Sequence, residues 1–116
     1  MKSLEDKAYN LLQKAGYNWE EGWNKPSLQI SKKFCGVKTG IVGAYLALSN
    51  KVLLMEYTND KDILPTLCHE LVHAIQRNRY GLLMYLLRKT FTRKKIEEEA
   101  DRVTKFVEEY LTNHTI

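Results

Sequence analysis

A chain of 116 residues is long enough to bury a core without disulfides and is read as one domain over residues 1–116. Its 44% hydrophobic and 28% charged content is that of a folded globular protein rather than a disordered or fibrous one, and no apolar run approaches the roughly 20 residues of a membrane span. The formal charge of +4 is modest and uneven, because Arg88, Lys89, Arg93, Lys94 and Lys95 cluster just ahead of the acidic triplet Glu97-Glu98-Glu99.

The opening residues, Met1 to Lys7, carry charges where a secretion signal needs an apolar run, so a cytoplasmic protein with reduced Cys35 and Cys68 is expected. Ser3 followed by Glu5 and Asp6 reads as a helix N-cap, and Leu4, Ala8, Leu11, Leu12 and Ala15 recur at helical spacing up to Gly16. A first amphipathic helix over Leu4–Ala15 follows. Between Tyr17 and Pro26 the periodicity is lost, and Trp19 and Trp23 read as anchors that tie this loop to the core. A short strand is expected from Leu28 to Phe34, a second from Ile41 to Leu48 after a glycine-punctuated stretch, and a third from Val52 to Tyr57 beyond the turn Ser49-Asn50-Lys51. The near-continuous apolar run of the third predicts burial on both faces.

Asp62 is the expected N-cap of the next helix, with Pro65 in its first turn and an end near Asn78. Leu64, Leu67, Cys68, Leu71, Val72 and Ile75 surround most of its circumference, so it should be the central helix, with Cys68 as a small core residue. Within it lies His69-Glu70-Leu71-Val72-His73, an H-E-x-x-H pattern. Positions i and i+4 share a helix face, so both imidazoles can bind one ion, while Glu70 sits about 100° round the helix, within reach of a water on that ion. After Gly81, Leu82–Leu87 is a short greasy segment, either a connecting helix or a flap; no membrane contact is expected of it. Ile96, Ala100, Val103, Val107 and Leu111 mark a last helix from Arg93 or Lys94 to Leu111, with a fraying tail over 112–116. A helix, three strands and two further helices make an α+β domain.

A catalytic zinc takes three protein ligands and leaves a position for water. His114 lies in the tail. On the last helix, with Ile96 at the centre of the apolar stripe, Glu97 lies about 100° to one side, Glu99 about 60° to the other and Glu98 about 160° away. Glu98 faces solvent, and the angles leave Glu97 and Glu99 both open.

His69-Glu70-Leu71-Val72-His73 followed by Glu97-Glu98-Glu99-Ala100-Asp101 resembles the gluzincin arrangement H-E-x-x-H then E-x-x-x-D, in particular the minimal zinc-peptidase domains of phage and bacterial proteins. The E-x-E-A-D form is similar to the glutamate helix of ImmA/IrrE-type peptidases, and the stretch from Gly43 into the motif helix is similar to SprT-like small zincins. The resemblance implies a zincin-like fold with a mostly antiparallel sheet, His69, His73 and Glu97 as zinc ligands with Glu99 in reserve, and Glu70 as the general base. It makes Asp101 the carboxylate that receives an N–H from a ligand histidine. It also implies a protein or peptide substrate added as a strand to the edge around Gly43–Leu48, while Tyr80 and Tyr85 are open as oxyanion donors. Gln76 and Arg77 stand where a metzincin needs its glycine, and no later histidine suits SprT-type ligation. The competing readings are an ordinary α+β domain with structural histidines, and a latent zincin-fold module that contacts nucleic acid or a protein partner through the basic cluster.

Overall fold

Four helices and a three-stranded sheet appear in the computed structural model, which describes residues 3–19, 23–31, 43–55 and 60–113. The first helix, α1 (Leu4–Lys14), begins where Ser3 accepts the Asp6 N–H at 3.1 Å. It stops because Gly16 takes φ 99°, which lets the Gly16 N–H reach Gln13 O and the Tyr17 N–H reach Leu12 O. That double bond satisfies the orphan carbonyls of the last turn. Tyr9, Trp19 and Trp23 then form one aromatic cluster with centroids 5.1–6.1 Å apart, so the tryptophans anchor the loop as expected.

The strands β1 (Ser27–Ser31), β2 (Gly43–Leu46) and β3 (Lys51–Met55) lie in the order β1-β3-β2. β2 and β3 form an antiparallel hairpin whose turn is closed by Asn50 at φ 50°, held by the Tyr45 hydroxyl at 2.6 Å and by its own donation to Asn24 O. β1 runs parallel to β3. The sheet is therefore mixed, with one parallel and one antiparallel pair, rather than mostly antiparallel: the hairpin turns β3 back into the direction of β1, and β3 lies between the other two. β3 is central as its apolar run suggested, but its faces are unequal, with Val52 and Leu54 fully buried and Leu53 only partly so. The expected outer ends of all three strands, Lys32 to Phe34, Ile41 and Val42, and Glu56 and Tyr57, fall outside the described residues, as do Cys35 and His114.

The central helix, α2 (Asp60–Tyr80), starts earlier than the motif pattern indicates. Asp62 is inside it rather than capping it, and Pro65 is in its second turn. The missing proline N–H costs one bond, to the carbonyl of Lys61, an exposed residue near the helix end where water can replace it. α2 packs against α1, β2, β3 and both later helices. Its core side includes Leu64, Leu67, Cys68, Leu71 and Val72, and the Cys68 thiol, pushed up to about 12 by burial, points at Ala8 O. Gly81 separates α2 from α3 (Leu82–Phe91), so the greasy segment is a helix, and one longer than its apolar run. Thr92 turns the chain into α4 (Arg93–Asn113), whose buried stripe is Ile96, Ala100, Val103, Val107 and Leu111 as predicted, although the helix continues two residues past Leu111.

Candidate metal centre

Helix α2 presents His69 and His73 side by side, ring centroids 5.1 Å apart, toward α4. Each Nδ1 has a partner that dictates its protonation. The Thr104 hydroxyl donates to Ala100 O, one turn back on α4, leaving its oxygen to accept from His69 Nδ1–H at 2.9 Å. The Gln76 amide nitrogen donates to Ile96 O and to Glu99 Oε1, both at 3.0 Å and both pure acceptors, which fixes the amide orientation. Gln76 Oε1 is then the acceptor for His73 Nδ1–H at 2.9 Å. With both Nδ1 atoms protonated, the neutral rings carry their lone pairs on Nε2.

Those two Nε2 atoms point at one carboxylate. Glu97, reaching in from α4, lies 3.5 Å from His69 Nε2 through one oxygen and 3.4 Å from His73 Nε2 through the other. These separations are longer than an ordinary N–H···O bond of about 2.7–3.2 Å. Glu97 thus spans the pair of imidazoles, one oxygen to each. Ligand-type atoms of His69, Glu70 and His73 all lie within 4.8 Å of one another, as do those of His69, Glu97 and Asp101.

The two glutamates that the helical angles leave open are separated by their neighbours. Glu99 accepts both Arg79 guanidinium N–H groups at 3.1 Å, the Tyr17 hydroxyl and the Gln76 amide. Burial acts to raise its pKa, but these hydrogen bonds outweigh it and hold the carboxyl below its ordinary value. Glu99 is therefore committed to a structural ion pair, and Glu97 is the carboxylate at the histidines. Asp101 is close, its oxygen 3.6 Å from His69 Nδ1, yet its side chain is 70% exposed and the nearer acceptor is Thr104. Sequence reasoning missed both Thr104 and Gln76. Their signals were spacing: Gln76 is three residues after His73 on the same face of a buried helix, and Thr104 is two turns after Glu97.

Glu70 lies on the α2 face that meets β2. Gly43 makes that approach possible: a Cβ there would stand 2.5 Å from Thr66 Cγ2 and 3.5 Å from Glu70 Cγ. Burial, reinforced by the Glu97 charge and opposed by Lys89, pushes the Glu70 carboxyl up to about 7. A base poised near neutrality both accepts and returns a proton readily. Burial lowers the His73 pKa, with Gln76 and Glu97 pulling the other way, and this favours the neutral ring that a metal requires.

Of the two tyrosines, Tyr80 lies under the Arg88 guanidinium at 4.4 Å and makes a stacking contact. Tyr85 is buried with its ring against His73 and Tyr45, centroids 6.5 and 6.2 Å away, and burial together with the nearby Tyr45, Glu97 and Glu70 raises its pKa. Beside the centre, a groove of about 390 Å³ opens between the first half of α2 and the last turns of α4, bordered by Thr66, Thr104, Asp62 and Glu108. No family model, curated protein or solved structure matches this chain.

Proposed function

We propose that this chain is a zinc-dependent metallopeptidase with a zincin-like arrangement of helix and sheet. The observation that carries the reading is the convergence of two histidine Nε2 atoms, their tautomers fixed by Thr104 and Gln76, on the Glu97 carboxylate at 3.4–3.5 Å. Nε2 lone pairs facing a carboxylate need a proton or a metal cation among them, and the donor set of two imidazoles and one carboxylate suits zinc with an open fourth position. His69 and His73 would hold the ion through Nε2 and Glu97 through a carboxylate oxygen. Bound there, zinc would supply Lewis acidity toward a water and a peptide carbonyl.

The remaining chemistry belongs to the chain. Glu70, one residue from His69 on the α2 face that meets β2, takes the proton of the attacking water and delivers it to the leaving nitrogen. Burial beneath β2 restricts its carboxylate to the side of the site where water and substrate meet. β2 is an edge strand, paired only with β3 among the described residues, so its free N–H and C=O groups can hold a peptide substrate in extended form. Backbone pairing of this kind selects extended, unfolded segments more than particular side chains.

Metal analysis of the purified chain together with hydrolysis of a fluorogenic peptide library tests this. One zinc per chain is expected, lost in His69→Ala and in Glu97→Ala, while Glu70→Gln keeps the zinc and loses hydrolysis. A chain that purifies without zinc and cannot take it up, or a Glu70→Gln variant with full peptidase activity, refutes the reading.

A further inference from the structure

Helix α3 has two unlike faces. Tyr85 is buried against His73, whereas Leu83 is 71%, Met84 46%, Leu87 42% and Phe91 80% exposed. At about 100° per residue, Leu83, Leu87, Phe91 and Met84 fall within an arc of about 100° on the side opposite Tyr85. The apolar run in the sequence stops at Leu87, but the helix reaches Phe91 and so adds a large aromatic ring to that same stripe. From Leu71 to Ile96 the chain has seven cations, Arg77, Arg79, Arg88, Lys89, Arg93, Lys94 and Lys95, and no acid. Arg79 is tied to Glu99, Arg88 lies over Tyr80 and Lys89 shares the Tyr85 side of α3, where its charge acts on Glu70, while Arg93, Lys94 and Lys95, which follow Phe91 in the chain, are exposed.

We infer that the outer face of α3 docks on an anionic lipid surface, with Leu83, Met84, Leu87 and Phe91 entering the headgroup boundary and Arg93, Lys94 and Lys95 set against the lipid charges. An amphipathic helix with large apolar side chains on one face and flanking cations has the composition of an interfacial helix. The shape also selects the partner. Side chains exposed by 71–80% stand out as a ridge, and a protein partner would need a matching pocket for each, whereas a lipid surface yields to them. A second copy of the chain is disfavoured because a two-fold contact through this face would bring like cations together. The helix lies on the surface and does not cross it: its 10 residues span about 15 Å against a hydrocarbon thickness of about 30 Å, and no described helix is long and apolar enough to span. This inference stands whether or not the metal centre hydrolyses peptides. It sets His73 on the side of α3 away from the lipid.

Sedimentation of the full chain with vesicles tests it, using phosphatidylcholine alone and phosphatidylcholine mixed with phosphatidylglycerol. Binding is expected only to the mixed vesicles and should weaken as salt is raised. Arg93→Gln with Lys94→Gln should weaken it about thirty-fold, the combined effect of two surface cations. Leu83→Ser with Phe91→Ser should abolish it while leaving the melting temperature unchanged, since both side chains are already in water. No binding to the mixed vesicles, or binding that Leu83→Ser with Phe91→Ser leaves intact, overturns the inference. So does a concentration-dependent dimer that this double variant disrupts, which would assign the face to a second copy.

Discussion

Gln76 is the most informative side chain to change, because it is fully buried and joins His73 to Glu99 and to the Ile96 carbonyl by three hydrogen bonds. Gln76→Leu keeps much of the volume and removes all three. Two of the partners have other bonds or can shift toward water, but His73 Nδ1–H loses its acceptor among the described residues in a buried position, at a cost of about 1–3 kcal/mol. With the other two bonds at about 1 kcal/mol each, the zinc-free protein should lose about 3–5 kcal/mol of stability. Zinc affinity should fall about 10–100-fold, because the ring is no longer held with its Nε2 lone pair toward Glu97. Gln76→Glu separates the two roles. It keeps an oxygen for His73 Nδ1–H, so zinc affinity should be retained or rise, yet it sets a second carboxylate against Glu99 and should lower the melting temperature. Competition with a chromophoric chelator reads the affinity, and thermal unfolding in excess chelator reads the fold alone. If Gln76→Leu and Gln76→Glu lower stability and both leave zinc affinity at the wild-type value, Gln76 is a packing residue and the tautomer argument fails.

Glu97→Gln should lose zinc with the zinc-free melting temperature unchanged or raised, since a neutral amide replaces a carboxylate facing two imidazole nitrogens, whereas Glu99→Gln should keep zinc and melt lower, through the weakened contacts to Arg79 and Tyr17; metal content and calorimetry on the pair read both. Because burial raises the Glu70 carboxyl from its ordinary 4.5 to about 7, the folded protein binds the extra proton between those values, so the zinc-free protein should lose stability as pH rises from 4.5 to 7, by about 3 kcal/mol, and level off above. Glu70→Gln should remove that slope, and urea unfolding at several pH values shows whether it does. With zinc bound, the ion's charge pulls the Glu70 pKa below its metal-free value, and hydrolysis should decline as pH drops through that lowered value and the base is protonated. Gly43→Ala should cost about 1–3 kcal/mol, as the added methyl meets Thr66 Cγ2 at 2.5 Å, and Thr66→Ser, which deletes that methyl, should recover part of the loss in a double-mutant cycle.

The parts of this molecule that local chemistry determines were legible in its sequence. Ser3, Gly16 and the Leu/Ala stripe place α1 to within a residue, and the buried stripe from Ile96 to Leu111 places α4, because caps and a 3.6-residue period act within one element. The sheet was legible as three strands but not in its pairing, since the parallel contact of β1 with β3 joins segments more than twenty residues apart that carry no turn signal for it. The candidate metal centre shows the same division. His69, Glu70 and His73 lie within one turn and can be read directly, but Glu97 and Glu99 flank the apolar stripe of α4 almost symmetrically, and no angle on that helix distinguishes them. What breaks the symmetry comes from elsewhere: Tyr17, just past the glycine that ends α1, and Arg79, at the end of α2, both close on Glu99. Gln76 then transmits that choice to the histidines, because an amide held by Glu99 on one side has only its oxygen left for His73. The glutamate committed to the ion pair thus fixes the tautomer of His73, and Glu97 is left facing Nε2 of both histidines.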